Sequence, residues 1–407
     1  MHPMVKPALR RGWRDLNTVQ FGMAPSHAMV LGPVDTATGS FLGLLDGTRG
    51  LPLLREEAHR MGLPDGHVDA LVDRLSGAGL LDDATGGGPA ADALRSRAGV
   101  LDRLRPDLAS LSLVARAPGA AVGRLAARRR LRVQVRGAGR VGALLASLLS
   151  GAGVGEVDVR DTGCVEPWDV APGGLPAESI GERREEAARR AVRAAAPGRP
   201  PRRRRPARRS SHDDLDPALS LVVLAPREAV DIHAPDPFCA EPLIASGTPH
   251  LYAGVVEGTG IVGPFVLPGD TSCAGCLHHG RTDRDESWPR LVAQWRSGRP
   301  RQVQSCDLAL ATAVAGVAAG HALAFLDGEV PSSTGARWEA SVPRLDWHAR
   351  PVWPHPACGC GAAEKGKEEH TPKDGESHET MGEQRPATHL SRRTDAARLS
   401  GTRRAHV

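Results

Sequence analysis

The stretch Leu131-Arg132-Val133-Gln134-Val135, followed closely by Gly137-Ala138-Gly139-Arg140-Val141-Gly142, constrains this chain more than any other feature. The first segment reads as a strand, and the apolar residues from Val141 to Leu149 read as a helix. A G-x-G-x-x-G between a strand and a helix is the context that gives the pattern physical meaning. Glycine lets the backbone approach phosphate closely, while the helix N-terminus offers amide N–H groups and the positive end of a dipole. Val157-Asp158-Val159-Arg160-Asp161 reads as the next strand. Asp161 ends it roughly 20 residues beyond the loop, where an acidic side chain can hold a ribose hydroxyl. A tight turn that binds nothing is the plainer alternative. Loop, context and Asp161 together favour a nucleotide-type site, present or ancestral.

The text that follows extends this start into an α/β unit. Glu182 to Ala195 reads as a charged helix, and Leu219 to Ala225 is the continuous apolar run of a strand buried in a parallel sheet. Alternating strands and helices argue for a Rossmann-like α/β fold with a mostly parallel sheet, spanning residues 131–360. Leu308 to Leu326 has the length of a membrane span, but it is mostly Ala, Gly and Val, and His321 interrupts it. A buried core helix is the better reading.

Seven cysteines in 407 residues do not suggest a disulfide scaffold. Four of them are closely paired, as Cys273-Ala274-Gly275-Cys276 and Cys358-Gly359-Cys360. Both pairs lie in turn-like text, after Leu267-Pro268-Gly269 and Pro354-His355-Pro356. Two such knuckles supply four thiolates for tetrahedral zinc, and a site with no open position is structural rather than catalytic. His278, His279 and His355 are alternative ligands. Pro249 to Cys276 reads as strand, turn and strand, delivering the chain to the first knuckle. Cys306, ahead of the long helix, is a candidate nucleophile, although a lone cysteine is more often structural.

The amino-terminal text differs. Within residues 1–85, Val19–Phe21 and Ala28–Leu31 read as strands, with helices over Thr36–Leu45, Leu51–Met61 and from Asp65 to about Gly77. Leu80-Leu81 follows as a wing-like strand. This describes a small winged-helix-like α+β domain. Residues 86–130 read as a Gly/Pro-rich linker and a connector helix broken at Pro106 and Pro118. Residues 361–407 are polar and read as a disordered tail. No segment near the start resembles a signal peptide, so a cytoplasmic protein without membrane partners is expected. The net charge is +5. The third amino-terminal helix carries Asp69, Asp73 and Arg74 on its polar side rather than a basic stripe, so no nucleic-acid partner is expected. The run Arg199–Arg209 reads as a solvated loop.

The order of Gly-rich loop, Asp-ended strand, buried strand, strand pair, C-x-x-C, small-residue helix and second cysteine pair resembles the ThiF/MoeB/ubiquitin-activating family. That family uses ATP to adenylate the C-terminal carboxylate of a small protein or peptide. The resemblance covers Leu131 to Cys360. It implies ATP and magnesium as cofactors, with Gly137, Gly139, Gly142 and Asp161 on the nucleotide and Cys273, Cys276, Cys358 and Cys360 on structural zinc. It also implies a homodimer, a habit common among relatives. The amino-terminal module resembles the PqqD-like domain that binds leader peptides in ribosomal-peptide pathways. Its fusion to a ThiF-like domain implies a peptide substrate and a cyclodehydratase-type partner enzyme.

The chain departs from the family where charge matters. The family's Asp after the buried strand has no match in register, because Val222-Val223-Leu224-Ala225 runs into Pro226-Arg227-Glu228. Its Asn/Arg segment has no clear counterpart in Glu166-Pro167-Trp168-Asp169-Val170, and its phosphate-binding Lys corresponds to Arg184. Arg184 could still supply charge to a phosphate. Two readings follow: an ATP-dependent adenylyltransferase, or a catalytically degenerate scaffold that binds a precursor peptide and presents it to a modifying enzyme.

Overall fold

The computed structural model describes residues 1–198, 219–298 and 304–364. The run Arg199–Arg209 and the tail beyond residue 364 lie outside the described residues.

The amino-terminal module holds β1 (Pro3–Val5), β2 (Arg11–Asp15), β3 (Thr18–Phe21), β4 (Met29–Leu31), α1 (Thr36–Phe41), α2 (Leu51–Arg60), α3 (His67–Gly77) and β5 (Leu81–Asp83). β2, β3 and β4 form an antiparallel sheet, and β5 pairs with β1. In α3, Val68, Leu71, Val72 and Leu75 fall at positions i, i+3, i+4 and i+7, and all enter the core with Phe21, Phe41 and Leu54. Asp35 caps α1 by accepting from the Thr38 N–H at 2.7 Å. That helix is shorter than its apolar text suggests. It ends at Phe41, and Leu42 and Leu45 reach the core from the turn that follows.

Residues 86–130 hold α4 (Gly88–Arg95), α5 (Ala98–Val114) and α6 (Ala120–Arg128) around a small core of their own that includes Leu94, Leu104 and Leu125. Of the glycines read as a linker, Gly86 and Gly87 are contact points instead. A Cβ at Gly86 would lie 2.8 Å from the Gly119 Cα, so they let two backbones touch. Pro106 does not break its helix, whereas Pro118 falls between α5 and α6. The buried Lys6 ammonium donates to the Ala115 carbonyl at 2.7 Å, and Asp82 accepts from the Gly119 N–H at 2.7 Å. These bonds fasten the first module to the helical one.

The α/β unit runs β6 (Arg132–Arg136), α7 (Arg140–Gly151), β7 (Glu156–Arg160), α8 (Arg184–Ala195), β8 (Leu221–Leu224), α9 (Ala229–His233), α10 (Pro237–Ala245), β9 (His250–Val256), β10 (Thr259–Val266), α11 (Ala274–Thr282), α12 (Trp288–Ser297), α13 (Leu308–Leu326), β11 (Ala336–Ser341) and β12 (His348–Pro351). The sheet order is β12-β11-β10-β9-β8-β6-β7. β7, β6, β8 and β9 are mutually parallel, and β10 to β12 continue the sheet antiparallel. α7 lies inside the core and is apolar on most sides for that reason, whereas α13 buries one face against it; Leu145, Leu149, Val314 and Ala318 are fully buried, while Thr312, Gly316 and Gly320 of α13 are exposed. α13 is long and apolar enough to cross a membrane by length and composition, but it packs on α7, β9 and β10 as a core helix.

Arg128 at the end of α6 forms a bidentate pair with Asp327 just past α13, at 2.7 and 2.5 Å, and both side chains are buried. The chain order reverses around β6, with β7 on one side and β8 on the other. In open α/β sheets the crevice at the carboxyl ends of such strands is where ligands bind.

Candidate nucleotide cleft and cysteine cluster

The Gly-rich loop opens onto that crevice, and its three glycines serve different ends. Gly137 has φ +108°, and a Cβ there would stand 1.9 Å from the Ala225 carbonyl oxygen. A Cβ at Gly142 would stand 2.0 Å from the Gly137 carbonyl oxygen. These two glycines therefore serve the turn and the packing of α7 on it. Gly139 faces the cleft and caps α7, whose first amides have no side-chain acceptor at the cap position. In principle this is the anion-receiving end of the helix. What covers Gly139 is a side chain: the nearest atom to its added Cβ would be the Arg227 Cγ, at 2.9 Å.

Asp161 and Arg184 meet beside the loop. The Asp161 carboxylate accepts from the Ala138 N–H at 2.6 Å and from Arg184 Nη1 at 2.6 Å. Arg184 is 5% exposed. It donates further to the carbonyls of Thr162 and Cys164, at 2.8 and 2.6 Å, and to Asp169 at 3.2 Å. In this conformation the guanidinium expected to meet phosphate is instead a clamp. It holds the segment after β7 against the loop, with Asp161 as its anchor.

Asp169 and Glu166 lie in the segment that sequence reading compared with the family and gave no role. They reciprocally cap a short 3-10 turn, Pro167–Asp169. Their E-x-x-D spacing resembles a capping box and is the local signal that could have marked them. Both carboxylates also reach Arg227. Asp169 Oδ1 accepts from Arg227 Nε at 2.9 Å, and Glu166 pairs with Arg227 Nη2. Arg227 therefore stands in the cleft just past β8, the region where the family resemblance expects an aspartate.

Two cavities result. One, about 610 Å³, is lined by Gly139, Arg140, Gly142, Gly254, Gln304 and Cys306 among others. The second, about 860 Å³, is lined by Gly137, Asp161, Thr162, Gly163 and Arg184 among others. They share Glu166, Pro226, Arg227 and Glu228, so Arg227 and Glu166 form part of the wall between them. The backbone is shaped for a phosphate at Gly139. The side chains in this conformation are not: Arg227 covers the glycine, and the carboxylates that could hold magnesium, Glu166 and Asp169, are paired with Arg227. Cys306 lines the first cavity, and its carbonyl accepts from Arg140 at 2.8 Å. Burial pushes its thiol up to about 11, so near neutral pH it is a protonated thiol rather than a nucleophilic thiolate.

The four paired cysteines converge across the far side of the sheet. Their Sγ atoms all lie within 4.8 Å of one another. Cys273–Cys276 is 4.0 Å, and Cys273–Cys358 and Cys276–Cys360 are each 3.5 Å. These separations exclude disulfides, and they match the roughly 3.8 Å edges of a tetrahedron with zinc–sulfur bonds of about 2.3 Å. The four cysteines could thus hold a metal such as zinc. Cys273 caps α11, whose N-terminal dipole favours a thiolate. Gly275 gives the Cys358 sulfur room, since a Cβ there would come within 2.8 Å of it. The alternative histidine ligands are outside the cluster: His355 bonds Asp283 at 2.7 Å and stacks on His279.

A family model described as "ThiF family" matches residues 116–362. No curated protein matches the chain. Among solved structures, E. coli MccB with a succinimide is similar at TM-score 0.62 and 13% identity, covering 88% of this chain and 98% of that one. MccB in complex with N-formylated MccA, described as a microcin C7 biosynthetic enzyme, is similar at TM-score 0.60 and 12% identity, covering 88% and 99%. PaaA is similar at TM-score 0.61 and 16% identity, covering 86% and 100%. At these identities the likeness is one of fold. The family match runs from the segment between α5 and α6 to just beyond the fourth cysteine of the cluster, and on it we conclude that this chain belongs to the ThiF family.

Proposed function

We propose that the chain is an adenylyltransferase-like protein that uses ATP to activate the C-terminal carboxylate of a peptide or small protein. One observation carries this reading: the N-terminus of α7, with no side-chain cap and with glycines in its approach, meets a cleft at the carboxyl ends of the parallel strands. Family membership supports it, as does the similarity to MccB, which has been captured with ATP and with the peptide MccA. The zinc assigned to the four cysteines would be structural, holding the β10–α11 corner to the end of the domain. The test is exchange of labelled pyrophosphate into ATP by the purified full chain, with candidate peptides ending in a free carboxylate. Exchange that depends on the peptide supports the reading, and absence of both exchange and ATP binding overturns it.

A second reading is favoured by a specific observation. Arg227 on Gly139, neutralised by Glu166 and Asp169, is what a degenerate scaffold would show. Such a scaffold would bind a precursor peptide through residues 1–85 and present it to a modifying enzyme such as a cyclodehydratase. Tight peptide binding by the full chain without nucleotide, together with no pyrophosphate exchange, selects it.

A further inference from the structure

We infer that Arg227 is the residue that decides whether this cleft accepts a nucleotide, by acting as a gate between its two halves. The inference rests on the nucleotide reading above and deepens it. The base and ribose end of a nucleotide belongs near Asp161 and Thr162, and the phosphates belong at Gly139 and the start of α7. Those two places lie in different cavities of about 860 and 610 Å³, and Arg227 and Glu166 contribute to the wall between them.

The gate is built to stay shut until something competes for it. Its aliphatic stem lies on Gly139, which has no side chain to hold it off. Its guanidinium is held by two carboxylates on one turn, through Nε to Asp169 and through Nη2 to Glu166. Asp169 is itself fixed by Arg184, so the acceptor cannot follow Arg227 outward. Glu166 is the looser half, more exposed than Asp169. A phosphate seated on the first amides of α7 at Gly139 would need the space that the Arg227 stem fills, so a nucleotide must displace the side chain before it can bind. Opening would free Glu166 and Asp169 at the same moment that a nucleotide brings its magnesium. The apparent affinity for nucleotide is then reduced by the fraction of molecules in which the gate is closed.

The experiment is calorimetric titration of the full-length chain with ATP, with and without magnesium, comparing the unaltered protein with Arg227→Ala and Glu166→Gln. Removing the gate should tighten ATP binding at least tenfold, whereas Glu166→Gln, which loosens the gate but also removes a candidate magnesium ligand, should tighten ATP binding only when magnesium is withheld. Weaker or unchanged binding in Arg227→Ala overturns the gate, because Arg227 would then be a phosphate ligand or a bystander. If the unaltered chain binds no ATP and Arg227→Ala does, the gate stands and the activation reading fails. If neither binds, both fail. A second measurement needs no nucleotide. Gly139→Ala should lower Tm in the presence of Arg227 and lower it less in an Arg227→Ala background. An equal loss in the two backgrounds overturns the contact on which the gate depends.

Discussion

The cysteine cluster and the ion-pair network at the Gly-rich loop both gather side chains distant in sequence, but they gather opposite kinds of charge balance. Cys273, Cys276, Cys358 and Cys360 are four groups of one kind, at most 4.8 Å apart, and as thiolates they would repel one another without a cation among them. The loop network sets Asp161, Glu166 and Asp169 against Arg184 and Arg227, so nearly every charge already has a partner. The first arrangement calls for something from outside. The second satisfies itself and must be disturbed before it can accept anything. That contrast separates a cluster that could hold a metal from a cleft whose charges are already paired.

The sharpest way to break the comparison is at the cysteines. Cys273→Ser should remove bound metal, about one zinc per chain by metal analysis. It should also cost much of the domain's stability, with the roughly 10–16 kcal/mol of structural zinc sites in small peptides as an upper range. A chain that keeps its Tm and its zinc after that change would end the structural role. Next is Asp169→Ala, which strips a buried acceptor from both Arg184 and Arg227. Removing one partner of a buried pair costs about 3–5 kcal/mol, read as a fall in the urea midpoint. A loss under about 1 kcal/mol would mean that the network behaves like surface charge.

A smaller effect comes from two imidazoles outside both clusters. Burial pushes His250 down to about 4, and burial together with Arg281 and Arg337 does the same to His233. Each is neutral in the fold and takes up a proton more readily when unfolded. Their stabilisation is therefore complete above about pH 6.5 and declines as pH falls toward 4, by up to about 3 kcal/mol for His250 and less for the partly exposed His233. Urea unfolding at pH 7 and pH 5 should show the decline, and His250→Gln should flatten it. The smallest effect is expected at the Arg55–Asp69 pair on α2 and α3, which is exposed on both sides. Asp69→Asn should leave the urea midpoint where it was.

Much of the frame was readable because it is written in local pattern. The strands read at Leu131–Val135 and Val157–Asp161 lie within one residue of β6 and β7, and the apolar run from Leu219 contains β8. The cysteine pairs were readable because their spacing is short and their chemistry narrow. β2 was not, because Arg11–Asp15 is exposed at every position and shows no alternation. β12 escaped notice for the same reason, all four of its residues being exposed. The ion network was hidden differently. Arg227 meets Glu166 and Asp169 across 61 and 58 residues, and no local rule links them. Sequence reading saw that no aspartate stood in register where the buried strand runs into Pro226-Arg227-Glu228. It could not see that the arginine's partners had been supplied.

The Arg128–Asp327 pair bears on how this protein can be divided. A fragment beginning at Leu131, where the α/β text starts, would leave the Asp327 carboxylate enclosed with no guanidinium opposite it. It would also leave the Ala152 carbonyl without the donor that now reaches it from Arg128 Nη1 at 3.1 Å. Such a fragment should be recovered as aggregate, while one that begins ahead of α6 keeps its counter-ion and should stay in solution. The α/β half of the chain thus carries its own lower edge inside the preceding helix, and a cloning boundary belongs there rather than at the first strand.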